Sequence, residues 1–151
     1  MKRRGTRAGL AGMLAVAALV LMPGASTQAG GGITVTMTVA VDPTPDDEND
    51  QVCEPTKDKI KVKKKTPLDI CYEISNSSGA TLTRHDLTDS QAGVILDDFP
   101  FNLVNGASAY IINSADDLKR SATFKGHWVA ANSSFIHQAS DKVKIKIKKK
   151  N

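Results

Sequence analysis

From Ile33 onward the chain alternates. Ile33, Val35, Met37, Val39 and Val41 are apolar, with Thr34, Thr36 and Thr38 between them. A period of two in β-branched residues predicts a half-buried strand. Asp42-Pro43-Thr44-Pro45 ends it, because neither proline can donate to a ladder. Ile60 and Val62 then alternate with Lys59, Lys61 and Lys63, which predicts a short strand with a charged outer face. Leu68, Ile70, Tyr72 and Ile74 mark the inner face of the next strand, with Cys71 on its other face. Turns at Asn76–Gly79, Gln91–Gly93, Asn105–Gly106 and Asn132–Ser134 follow from composition. They separate strands over Thr81–Asp89, Val94–Leu103, Ala107–Asn113 and the segment around Trp128.

Two details of phase bear on the core. Val94 and Leu96 are in phase with each other but not with Phe99, Phe101 and Leu103, so a bulge or bend is expected at Asp97-Asp98. Phe124, Gly126, Trp128 and Ala130 share one face, and Trp128, the only tryptophan, is expected to anchor the core near Ile70, Tyr72, Phe124 and Phe99 or Phe101. The chain ends with Val143, Ile145 and Ile147 alternating with Lys144, Lys146 and Lys148, which predicts a charged edge strand. About seven to nine short strands, spaced near ten residues apart, predict an all-β protein: a sandwich of two antiparallel sheets.

The first residues change the picture of charge. Lys2, Arg3, Arg4 and Arg7 precede an apolar run, Leu10–Met22, then Pro23-Gly24 and small residues up to Ala29. This is the layout of a secretory signal peptide over residues 1–29. The run would make only about 20 Å of helix, short of the roughly 30 Å core of a bilayer. The chain has 20 basic and 16 acidic residues. The four basic residues before Ala29 have no acidic counterpart there, so the remaining domain, 30–151, is formally neutral. Its overall charge gives no reason to expect a specific nucleic-acid partner; only the distribution of charge matters. The loop 42–50 is acidic, with Asp42, Asp46, Asp47, Glu48 and Asp50, but lacks the EF-hand spacing, so a solvated loop is preferred to a calcium site. The segments 57–65 and 142–150 are lysine-rich.

Cys53 and Cys71 are the only cysteines, and in an exported chain they are expected to form a disulfide. Closing a loop of this length stabilises by about 3 kcal/mol in the chain-entropy model. His85, His127 and His137 show no metal-ligand spacing, and His85 and Asp86 are neighbours on a strand, facing opposite sides. No phosphate loop, nucleophile elbow or zinc-protease motif is present. No catalytic residue, metal or cofactor is therefore expected.

The run Cys71-Tyr72 to Asn76, Leu82-Thr83-Arg84-His85-Asp86-Leu87, Gly93–Leu96 and Leu103–Ala109 resembles an immunoglobulin-like repeat module of bacterial secreted and cell-surface proteins. The likeness runs from Ile33 to Ala131. This chain has Asn105-Gly106 where the family often has Pro-Gly, and Lys64-Lys65-Thr66-Pro67 where a glycine turn is common. The resemblance implies an extracellular spacer or adhesive unit, not an enzyme, and transfers no binding residue.

The expectation is a non-enzymatic structural or adhesive module. It would be secreted or periplasmic, or held at the cell surface, as a monomer with a protein or polysaccharide partner. The alternative is a binding protein for an anionic polymer: a cell-wall polymer, lipopolysaccharide or acidic glycan. Its candidate residues are Lys59, Lys61, Lys63, Lys144, Lys146 and Lys148, which would form one ridge if the two lysine strands pair. A secreted enzyme or inhibitor ranks third.

Overall fold

The computed structural model describes residues 31–42, 53 and 57–148. The expected signal peptide, most of the acidic loop and the last lysines lie outside them. Among the described residues eight strands follow in order: β1 (Ile33–Val41), β2 (Lys59–Val62), β3 (Leu68–Asn76), β4 (Leu82–Asp89), β5 (Gly93–Leu103), β6 (Ser108–Ser114), β7 (Ala122–Ala131) and β8 (Ile136–Ile147). They form a three-stranded sheet, β1-β3-β6, and a five-stranded sheet, β2-β8-β7-β4-β5. Two facing sheets, with a short early strand running beside the last one, make an immunoglobulin-like sandwich.

Two expectations are corrected here. The sheets are antiparallel at every pairing except β2 with β8, which is parallel. The last strand is also not an edge. β8 lies between β2 and β7, and β2, only four residues long, is the edge. The lysines Lys63–Lys65 fall in the turn that follows it. Hydropathy shows which way a strand faces, but not which strand lies beside it.

The core lies between the sheets. Leu68, Ile70, Tyr72 and Ile74 of β3 are fully buried, opposite Phe124, Trp128 and Ala130 of β7. Trp128 meets the His85 ring edge-on at 6.2 Å, and His85 lies 5.9 Å from Phe101. Trp128 Nε1 donates to His85 Nδ1 at 3.3 Å. The other ring nitrogen, Nε2, therefore carries the proton and donates to the Phe101 carbonyl at 3.1 Å. Gly126 is required by close approach: a Cβ there would sit 2.8 Å from Met37 Sδ and 2.9 Å from Tyr72 Cδ1.

β1 is tied to the opposite sheet along its outer edge. Met37 N donates to Asp141 Oδ2 at 2.8 Å, and Val39 N to the Lys57 carbonyl at 2.9 Å. Cys71, on the outer side of β3, is bonded to Cys53, with Cα atoms 5.3 Å apart. β5 carries three register shifts against β4. One falls at Asp97-Asp98, where Asp98 takes φ 45°, as the phase break predicts. Another lies between Leu96 and Val94, which pair with Leu87 and Thr88. It turns Val94 outward to 67% exposure, against its expected phase with Leu96.

Candidate anion-binding face

Parallel pairing sets Lys59 opposite Lys144 and Lys61 opposite Lys146, with Ile60 opposite Ile145 and Val62 opposite Ile147. The alternation then decides the faces. Val62, Val143 and Ile145 are buried, while Lys59, Lys61, Lys142, Lys144 and Lys146 are exposed. Main-chain bonds extend the pairing at both ends: Lys144 N donates to the Asp58 carbonyl at 2.9 Å and Lys148 N to the Val62 carbonyl at 2.8 Å. Lys63 and Lys148 each follow their strand by one residue and are exposed. The Lys63 carbonyl accepts a bond from Thr66 Oγ1 at 3.0 Å. The two lysine segments are thus neighbours, and four of the six candidate lysines stand in direct register.

A third strand contributes a lysine that the sequence reading did not single out. Lys125 of β7 is exposed and pairs with Lys142 of β8. Its signal was present in the sequence: it falls between Phe124 and Gly126, out of phase with the buried face.

Neighbouring strands lie about 4.8 Å apart, and outward residues recur about every 6.6 Å along a strand. The lysines therefore form a two-dimensional array rather than a pocket. Like charges placed opposite one another cost tenths of a kcal/mol each. Asp141 Oδ2 accepts from Met37 N, and Asp117 pairs with Lys65 at 3.8 Å, both largely exposed. A lysine ammonium is a point charge on a flexible stem, without the planar fork of arginine. Such an array suits a repeating anionic chain better than one shaped phosphate or carboxylate.

The histidines are dispersed. His85 is in the core, His127 Nδ1 meets Ser140 Oγ at 2.8 Å, and His137 stacks on Phe135. Burial holds His85 below its ordinary 6.5, outweighing its backbone hydrogen bonds and the nearby Asp86 charge. Among the described residues no group of three or more His, Cys, Asp or Glu is placed to hold a metal ion.

No family model matches the sequence, and no curated protein matches it. Solved structures do show likenesses. One is the crystal structure of a CARDB domain from Pyrococcus furiosus in complex with di-metal ions: 8% identity, 82% of this chain and 100% of that one, TM-score 0.46. A solution structure of the same domain gives 7% identity, 78% and 98% coverage, and 0.38. A family 123 glycoside hydrolase from Clostridium perfringens gives 7% identity over 76% of this chain but 27% of that one, with TM-score 0.35. No residue role passes from these structures. The fold assignment rests on the strand order above.

Proposed function

We propose that the protein is an exported, non-enzymatic immunoglobulin-like module, a structural or adhesive unit. It adheres by laying its lysine face along an anionic polymer, such as a cell-wall polymer, lipopolysaccharide or acidic glycan. One observation carries the choice over a plain spacer. Lysines on an edge strand are explained without any partner, because they keep other strands from pairing with it. That explains Lys59 and Lys61. It does not explain Lys144 on β8, which is paired with Lys59 on one side and Thr123 on the other, or Lys125 on β7, which is paired with Lys142 and bonded through its main chain to Ser90. Lys144 and Lys125 bring repulsion and guard no open edge, and a polyanion would turn that repulsion into attraction.

The test is binding to heparin, teichoic acid and lipopolysaccharide across a salt series. Affinity should fall steeply as salt rises, because exposed charges are screened within about 8–10 Å near physiological ionic strength. Changing Lys144, Lys146 and Lys148 together to Gln should abolish binding with the fold intact. No binding at low salt, or binding indifferent to these substitutions, would make the module a spacer.

A further inference from the structure

The end of the sandwich opposite Lys63 and Lys148 has the reverse character. Four segments meet there: Gly31–Gly32, Ser77–Thr81, Val104–Ala107 and Asn132–His137. None contains Asp, Glu, Lys or Arg, in a chain that is 24% charged. Val104, Phe135 and Ile136 are three of the five exposed large hydrophobic residues among the described residues. Phe135 is 54% and Ile136 75% exposed. The Phe135 ring stacks on His137, centroids 6.3 Å apart and planes 28° from parallel. Ser133 and Ser134 stand exposed beside them.

Asparagine side chains hold these loops still. Asn76 Nδ2 donates to the Ala80 and Leu103 carbonyls, each at 2.8 Å. Asn105 Oδ1 accepts from Gly79 N at 2.8 Å. Asn132 Nδ2 donates to the Thr81 carbonyl at 2.9 Å, while its Oδ1 accepts from Ser134 N and Phe135 N, each at 2.8 Å. Ser77 Oγ donates to the Gly31 carbonyl at 2.9 Å. The aromatic tip is thus presented by a clamped frame, which lowers the entropy lost when something binds it. Sandwich loops that gather at one end are a common place for recognition, and Ser, Gly and Asn around a few apolar anchors is the composition such surfaces use.

We infer that this end binds an uncharged glycan. A polyanion would meet no countercharge here. A stable protein interface buries about 1,200–2,000 Å² around an apolar centre, whereas the exposed large apolar residues of this end are Val104, Phe135 and Ile136, set among Ser, Asn and Gly. A neutral sugar ring offers what the site matches: an apolar C–H face for Phe135 and His137, and hydroxyl groups for Ser133, Ser134 and exposed backbone. The site is separate from the lysine face and its binding does not depend on salt, so failure of either reading leaves the other standing.

The experiment uses an array of neutral oligosaccharides of glucose, galactose, mannose, xylose and N-acetylglucosamine, printed beside sulfated and uronic-acid sugars. Binding to a neutral sugar should persist at about 0.5 M salt, where surface charge is screened within a few ångströms. Phe135→Ala should weaken it at least about tenfold, the scale of a lost aromatic contact, with melting unchanged. Phe135→Trp should retain it, and Lys144→Gln with Lys146→Gln should leave it alone. Three results would each overturn the inference: no neutral sugar bound, binding confined to acidic sugars, or self-association abolished by Ile136→Thr in place of sugar binding.

Discussion

β8 carries two opposite surfaces. Its first turn and first residues, Asn132–His137, belong to an uncharged loop end tied down by side-chain hydrogen bonds. Its last six residues carry Lys142, Lys144 and Lys146 on a regular sheet face. One strand supports both because the apolar face behind them is shared. The difference shows how a sandwich divides its labour. A sheet face repeats at a fixed interval and so presents arrays, whereas loops present single side chains in chosen positions.

The comparison depends on one cooperative core, and the largest expected effect tests that. Trp128→Ala should cost about 3–5 kcal/mol, the usual scale for a buried aromatic. Denaturant unfolding followed at both ends should shift together. If lysine-face binding survives in the unfolded variant, the array is lysine content rather than geometry.

Next is Gly126→Ala, which pushes β7 away from Met37 and Tyr72 just beside Lys125. Overpacking of this kind costs about 1–3 kcal/mol, and calorimetry should show a lower Tm.

A smaller effect comes from His85. Its folded value is held below the ordinary 6.5 by burial. Below 6.5 the unfolded chain therefore binds more protons than the folded one. Stability is fully present above 6.5 and falls as pH drops from there toward the folded value. Protonation would also put a hydrogen on Nδ1, where Trp128 Nε1 already donates. Unfolding measured over a pH series should show this slope, and His85→Gln should flatten it.

The smallest effects on stability belong to the two surfaces themselves. Lys144→Gln with Lys146→Gln should be neutral or stabilising by tenths of a kcal/mol, through relief of repulsion. Phe135→Ala should stay within about 0.5 kcal/mol. Denaturant titration checks both, and a large loss at either site would mark it as structural.

Much of this was legible in the alternation. The faces of β7 and β8, the first half of β1, the inner face of β3, the Cys53–Cys71 bridge and the β5 bulge at Asp97-Asp98 follow from residue type and period, but Val41 is 47% exposed while Thr38 and Ala40 are buried, against the β1 alternation. The lysine segments were found because they keep that period with one repeated side chain. What the pattern could not show is adjacency. Nothing in the period of Val143–Ile147 says that β2 covers its outer side in parallel, making β8 internal. Lys125 was missed for the same reason: alone on its strand it looks like an ordinary solvent-facing residue, and only the pairing with Lys142 gives it company. His85 was left without a side because adjacency to Asp86 sets only that the two face apart. The loop end was read as turns, and its clamping bonds join segments far apart in sequence.

The most direct test of the lysine face compares two pairs of substitutions for heparin binding across a salt series. One is the edge pair, Lys59→Gln with Lys61→Gln; the other is the internal pair, Lys125→Gln with Lys144→Gln. Each phosphate or sulfate neutralised steepens the dependence of affinity on salt, by about one unit of log–log slope per contact for a dense polyanion such as DNA. If the three strands act as one array, both pairs should weaken binding and both should flatten the slope. An unchanged affinity and slope for the internal pair would contradict the account, leaving the lysines of β7 and β8 without a polymer to hold.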